Sequence, residues 1–485
     1  MFSRLIFSFL LLISLSATSI AQSCLPNGIT FLTQGAVDSF SINYPGCTEI
    51  DGNVKIGQWN STTDIANLDG LANLNSIGGV LEIYNNDNLT NMDGLTNLSS
   101  VGYLLIQKND NLTNIDGLAN LNSISSGLII GYNNNLTNMA EFAKLSSISG
   151  SLTIESNDNL TNIEGFANLS SIGGSFRIYN NDNLTNIDGL ANLNSVGFLS
   201  ISSNNNLTNI DGLDNLNSIG SDLYIRENNN LTNINGLANL NSIGGNSIGG
   251  NLDIRHNDNL TNIDGLANLN SVGFLSISYN NNLTNIDGLD KLSSVGDLNI
   301  YGNSNLTNMD GLDNLNSIGG DLYIRENNNL ANINGLDNVN SIGGDLAIFD
   351  NDNLTDCCGI QELLSTPGAI DGSINIYDNP SPCSNKSEIL NDSCELTTSI
   401  KNYNPVWANS IKVYPNPNKG IFNIELTKKF QVKLKIMTML GLTIYESDLP
   451  FGKKEFQLDN IPSGIYFLEL LSEGEYVLKK LVIEK

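Results

Sequence analysis

The chain has 485 residues, with 50 Asp and Glu against 22 Lys and Arg, a formal net charge of -28, one His and six Cys. So acidic a polypeptide argues against nucleic acid and anionic membranes as partners, because both need compensating Lys and Arg. The charge is uneven: residues 411–485 carry 11 Lys against 9 Asp or Glu, the remainder 11 basic against 41 acidic, so two differently built regions meet near residue 400.

At the amino terminus, Arg4, an apolar run from Leu5 to Leu15 and Ser19-Ile20-Ala21 form a secretory signal peptide over residues 1–21, cut after Ala21. The run is too short to span a membrane, and no later stretch approaches 18 apolar residues, so the mature chain is expected to have no transmembrane segment. A lipoprotein with Cys24 acylated is disfavoured, because Ala21-Gln22-Ser23 lacks the usual branched apolar residue three before the Cys. In an exported chain six cysteines point to disulfides. Cys24 and Cys47 precede the repeats described next, and Cys357, Cys358, Cys383 and Cys394 follow them. They are expected to staple an amino-terminal cap, 22–53, and a carboxyl-terminal cap, 357–396. Cys24 pairs with Cys47, and Cys357 and Cys358 each take Cys383 or Cys394 in an order the spacing does not fix. A zinc site in the second group lacks C-x-x-C pairs.

From residue 54 to 356 one unit recurs. Its turn leucine falls at Leu89, Leu112, Leu136, Leu160, Leu184, Leu207, Leu231, Leu260, Leu283, Leu306, Leu330 and Leu354, at intervals of 23 or 24 residues except for one of 29, where Asn241–Gly245 is repeated at once as Asn246–Gly250. A fixed period of this length marks a solenoid. Within one unit, Leu184, Ile187, Leu190, Leu193, Val196, Leu199 and Ile201 are separated by polar residues and Gly, which suits short extended segments joined by turns. Burying seven such side chains contributes roughly 10 to 20 kcal/mol. Ordering about 24 residues costs at least as much, so a coil is stable only when stacked. The Asn closing each strand turn, from Asn86 to Asn351, is expected to satisfy turn backbone and its neighbours' amides along the axis. The Asn-Leu-Thr sequons and Asn/Asp turns read as turn chemistry in preference to glycosylation sites or a calcium array. The extra five residues are expected to bulge at a coil corner, since a shift within a strand would turn its core residues outward. Fourteen strand units, Val54/Ile56 through Ile374/Ile376, give a stack roughly 60 Å long at about 4.8 Å per coil.

The L-x-I strands, the N-x-L-x-x-I/M-x-G-L step and the flanking segments Cys24 to Cys47 and Cys357-Cys358-Gly359-Ile360 resemble the receptor L-domain type of leucine-rich repeat of bacterial surface proteins. The resemblance implies an all-β, right-handed leucine-rich-repeat solenoid of about 14 coils with stapled caps. It also implies a ligand-binding or adhesive role without catalytic residues.

A linker, 397–410, leads to alternating runs that predict a small β-sandwich over 411–485. That segment resembles the type A sorting domain of the type IX secretion system of Bacteroidota. The matching residues are Tyr414-Pro415-Asn416-Pro417 with Gly420, Gly441, the Ile461–Tyr466 segment containing Gly464 and Tyr466, and a terminus with Lys479, Lys480 and Lys485. The resemblance implies passage through the outer membrane by that secretion machinery, then surface attachment or release.

No nucleophile motif, phosphate loop or metal signature is present, and neither cofactor nor metal is expected. The single His256, beside Arg255 with Asp253 and Asp258 nearby, is the one conceivable acid-base site; it would make the chain a polysaccharide lyase-like solenoid enzyme. Outward strand positions are more informative, because alternate residues face away from the core. They hold Tyr84, Arg177, Tyr179, Tyr224, Arg226, Arg255, Tyr301, Tyr323, Arg325 and Tyr377, including every Arg after the signal peptide. Tyr and Arg anchor interfaces, so the face from Arg177 to Arg325 is expected to bind an extracellular protein or glycan without catalysis. The competing reading is a passive spacer, since Tyr-Ile-Arg-Glu-Asn recurs identically at 224–228 and 323–327 and duplication copies a surface whether or not it is used.

Overall fold

A computed structural model describes residues 23–245, 249–394, 411–426, 432–438, 442–458, 461–472 and 475–483. The signal peptide, the linker, Gly441 and Lys485 lie outside these. Two compact units are present, one up to Asp392 and one from Ser393.

In the first unit the L-x-I segments form fourteen strands of a parallel sheet, from Val54–Gly57 to Ile374–Tyr377. Equivalent residues lie side by side, as in Leu199 against Leu223 and Ile201 against Ile225. All seven apolar residues of the coil from Leu184 are buried, six of them completely and Val196 to 4% exposure. The sequence predicts only extended pieces and turns; the structure adds a 3-10 turn in each coil, such as Asp188–Leu190. It forms because Asn186 Oδ1 accepts the Asp188 N–H at 3.2 Å and the Leu190 N–H then bonds the Ile187 carbonyl at 3.0 Å. Gly189 is required there: a Cβ would come 2.1 Å from the Ile163 carbonyl of the preceding coil. One coil departs from this pattern, placing Glu141 where its neighbours have Gly117 and Gly165.

The strand-turn asparagines form a continuous ladder of thirteen, Asn86 to Asn351 and then Asn379, all buried. Each rung repeats one geometry. The Asn204 N–H and Nδ2 both donate to Asn228 Oδ1, at 3.1 and 3.3 Å, and Nδ2 also donates to the carbonyls of Ile178 and Ser202 at 3.0 Å. The residue before each Asn turns left-handed, with φ of 68° at Gly302 and between 51° and 61° at the others, even for Tyr132, Glu227, His256 and Tyr279. Such a conformation costs of order 1 kcal/mol in a non-glycine residue. The amide bonds of the rung offset it. Thr63 Oγ1 donates to Asn86 Oδ1 at one end, and Asn379 Nδ2 donates to the Cys383 carbonyl at the other.

Around the five-residue insert, the flanking strands keep their places: Ser242 pairs with Ser218 and Leu252 with Leu223. Gly244 and Gly249 adopt φ of 83° and 74°, and the Gly250 N–H bonds the Ile243 carbonyl at 2.8 Å; residues 246–248, on which the expected bulge falls, lie outside the described residues.

Both ends of the stack are covered. At the amino-terminal end Ile29–Phe31 pairs with Val54–Ile56, adding a strand before the first full coil. The helix Gln34–Asp38 and Phe40 close the apolar end, with Val37 and Phe40 buried. At the other end, Leu363, Leu364 and Ile389 of two short helices do the same. Cys24 is bonded to Cys47 and Cys357 to Cys383. Cys358 and Cys394 are also in disulfide linkage and no cysteine is free, which makes them partners of each other and resolves the order left open by spacing. Closing loops of 23 and 26 residues stabilises each cap by about 3 kcal/mol in the chain-entropy picture.

The second unit consists of two antiparallel sheets over one core. Ile411–Tyr414, Ile421–Leu426 and Gly452–Gln457 make three strands; Thr443–Leu449, Val432–Thr438, Gly464–Ser472 and Glu475–Ile483 make four. Phe422, Ile424, Leu434, Ile436, Leu468, Leu470 and Leu481 are fully buried between them.

Candidate binding face

Because the coils are in register, the outward strand side chains form two rows. Between Leu and Ile lie Tyr224, Asp253, Ser276, Asn299 and Tyr323; after the Ile lie Arg226, Arg255, Ser278, Tyr301, Arg325, Phe349 and Tyr377. The left-handed turn residues add a third row, with His256 and Tyr279 adjacent.

Three of the four arginines lie over aromatic rings. Arg177 sits 4.8 Å from the Phe198 centroid, Arg226 3.8 Å from Tyr224, and Arg325 4.6 Å from Tyr301 and 5.9 Å from Phe349. Arg226 Nη2 also donates to Asp253 Oδ2 at 2.5 Å, and Arg255 Nε stands 3.7 Å from the same oxygen. Aromatic contacts extend the surface: Phe198 meets Tyr224 edge-on at 5.2 Å, Tyr279 meets Tyr301 likewise at 5.2 Å, and Phe349 stacks on Tyr377 at 4.8 Å. Tyr323 donates to Asp321 Oδ2 at 3.4 Å; burial and then the carboxylates of Asp321, Asp345 and Asp297 raise its hydroxyl above the usual range. Tyr179 donates to the buried Glu155, whose carboxyl is raised by burial and partly restored by the hydrogen bond from Gln107.

These contacts change the reading of Tyr84 and bear on the disfavoured acid-base reading of His256. Tyr84 faces outward but is only 3% exposed, because Trp59 packs over it with centroids 3.9 Å apart. Nor does His256 meet an acid: its ring stacks on Tyr279 at 4.7 Å, while Asp258 accepts from Asn281 on the turn surface. Phe198, Tyr279, Phe349, Ser278 and Asn299 were missed as members of this surface. Counting the residue before each strand leucine and the turn residue before each Asn would have found the first two.

Among the described residues, one group has metal-ligand proximity, Cys358, Asp392 and Cys394, and its two sulfurs are already bonded in disulfide. A cavity of about 290 Å³ in the carboxyl-terminal cap is lined mostly by apolar side chains, with Lys386 its charged member, and assembles no acid-base pair.

In the second unit, the two ends of the sorting motif meet. Asn416 Nδ2 donates to the Lys480 carbonyl and its Oδ1 accepts the Val482 N–H, both at 2.7 Å. Asn418 Oδ1 accepts the Gly420 N–H at 2.7 Å, and Asn418 Nδ2 donates to the Val482 carbonyl at 3.0 Å. Tyr414 donates to Glu425, and Tyr466 to the Pro462 carbonyl at 2.9 Å. Pro415 and Pro417 flank the clamp, Gly464 opens the strand that carries Tyr466, and Lys479 and Lys480 lie on the clamped strand.

Family models match three parts of the chain: a receptor L domain over residues 46–137 and 122–212, a BspA-type leucine-rich repeat region in six copies over 255–355, and a secretion system C-terminal sorting domain over 412–484. Comparison with curated proteins gives no match. Receptor L domains and leucine-rich repeats are typically non-catalytic binding folds, the sorting domain implies contact with type IX secretion machinery, and no helix among the described residues is long and apolar enough to cross a membrane. The chain thus carries regions that match receptor L domains and BspA-type leucine-rich repeats, followed by a sorting domain that marks it for export to the cell surface or for secretion.

Proposed function

We propose that this protein binds an extracellular protein or glycan, without catalysis, through the outward face of the coils between Arg177 and Arg325. The observation that carries this reading is the concentration of arginines and aromatic rings, packed against one another, on one face of an otherwise Asn- and Asp-rich solenoid. Rings already stacked on guanidinium groups lose little conformational freedom when a partner arrives, and Tyr and Arg contribute most where they are held in place. The stacking of the His256 ring on Tyr279 supports a packing role for it over an acid-base one. Against a passive spacer stands the fact that the two identical pentapeptides hold their arginines differently, Arg226 on Asp253 and Arg325 on Glu326.

The test is a glycan and matrix-protein array probed with the secreted chain and with the double variant Arg226→Gln, Arg325→Gln. At least tenfold weaker binding is expected. Unchanged binding, combined with sensitivity to the number of coils, would establish the spacer instead.

A further inference from the structure

Eight buried side-chain polar atoms among the described residues lack a hydrogen-bond partner within the protein, and five of them fall on four adjacent strands of this one face: Arg226 Nε, Asp253 Oδ1, Arg255 Nε, Ser278 Oγ and Asn299 Oδ1. Asp253 is 6% exposed and Ser278 not at all. Buried polar atoms are nearly always paired, so a cluster of orphans marks a place shaped for groups from outside the chain. We propose that the strands Leu223–Arg226, Asn251–Arg255, Ser271–Ser278 and Ser294–Tyr301 form a binding site for an acidic glycan, whose sugar rings carry carboxylates beside their hydroxyls. The proposal rests on the binding function above and names its ligand class.

The orphan set selects the chemistry. Two are donors, the guanidinium nitrogens; two are acceptors, Asp253 Oδ1 and Asn299 Oδ1; Ser278 is both. A simple anion would engage the donors and leave the acceptors orphaned. Sugar hydroxyls donate and accept, so they complement the arginine donors together with the Asp253 and Asn299 acceptors, while the fully covered Ser278 lies beneath them. Charge selects the acidic substituent: Arg226 and Arg255 lie side by side in register and share the single carboxylate of Asp253, which leaves one uncompensated positive charge on a chain of net -28. A guanidinium turning from Asp253 to a ligand carboxylate frees Asp253 for ligand hydroxyls, and both arginine side chains are exposed enough to turn, at 25% and 38%.

Aromatic surface adjoins the polar set. Tyr279, stacked on His256, packed against Gly302 of the next coil and met edge-on by Tyr301, borders the site with its part-exposed edge. Ser276 and Ser278, small and covered by their neighbours, separate Asp253 and Arg255 on one strand from Asn299 and Tyr301 on the other.

Isothermal titration of the secreted chain with galacturonate tetramer and with the uncharged galactose tetramer tests the assignment. The acidic tetramer is expected to bind at least tenfold more tightly. Asp253→Asn and Arg255→Gln, each with an unchanged thermal midpoint, are expected to weaken it at least tenfold, and Lys108→Gln, on a distant coil, to leave it unaltered. Should Asp253→Asn fail to fold, Arg255→Gln at the more exposed position carries the test alone. Equal affinity for the two tetramers, or full affinity in Arg255→Gln, overturns the proposal. If neither tetramer binds while a matrix protein still binds through Arg226 and Arg325, the glycan assignment falls and the binding function stands; if nothing binds, both fall.

Discussion

Ser195–Ser202 and Ser271–Ser278 share the octapeptide SVGFLSIS, yet only their inward halves are alike. Val196, Leu199 and Ile201 are buried as Val272, Leu275 and Ile277 are. Outward, Ser200 and Ser202 are half-exposed, whereas Ser276 and Ser278 are 4% and 0% exposed. The cause lies in the surroundings. Ser203 follows the first copy, while Tyr279, stacked on His256, follows the second; Arg226, the neighbour of Ser202, leans onto Tyr224 and Asp253. The repeat therefore dictates the core coil by coil, and surface chemistry arises from which side chains the stack sets beside one another.

The largest effect checks the shared half. Ile201→Ala and Ile277→Ala remove the same fully buried side chain, and each is expected to destabilise by about 2 to 5 kcal/mol, with the two values close together. Denaturant midpoints measured on both would break the equivalence if they diverged by more than about 1 kcal/mol.

A coil that departs from the repeat sharpens it from another side. Glu141 has its carboxyl pushed up to about 7, first by burial and then by the hydrogen bond with Asp116. A carboxyl whose pKa is raised by folding lends stability that is complete below its unfolded value and is lost as pH rises through the folded value. The wild-type chain should therefore lose stability between about pH 4.5 and 7 relative to Glu141→Gln, by about 1 to 2 kcal/mol after allowing for its partial exposure to solvent. Thermal midpoints of both chains across that range measure it, and parallel curves would contradict the account.

The smallest effect concerns the outward serines. Ser278→Ala removes a buried hydroxyl with no partner in the protein and should stabilise by up to about 1 kcal/mol, while Ser202→Ala should be neutral. A loss in Ser278→Ala would mean that its hydroxyl is already satisfied.

Much of the fold was legible because one period sets both the buried positions and the lateral register. Leucine spacing gave the coils, and the fixed Asn of each turn gave the ladder, though its last rung, Asn379, stands outside the repeat and was not counted. The disulfide order was not legible, since Cys357 and Cys358 are adjacent and only the path of the cap chain brings Cys383 to the first. The face was legible by residue type and not by contact. That Asp253 would serve two arginines follows from aligning coils across the five-residue insert, where simple counting loses step; that Trp59 would lie over Tyr84 depends on the turn of the first coil, which departs from the Asn-Leu-Thr pattern.

Stacked amides bonded rung to rung along parallel strands are also the architecture of fibrils, which lengthen because every end is a template for the next chain. Here the rung at one end is occupied by the hydroxyl of Thr63 and at the other by the carbonyl of Cys383, itself bridged to Cys357. With the strand Ile29–Phe31 and the capping helices over the same two ends, the column presents no open rung on which another copy could continue the ladder.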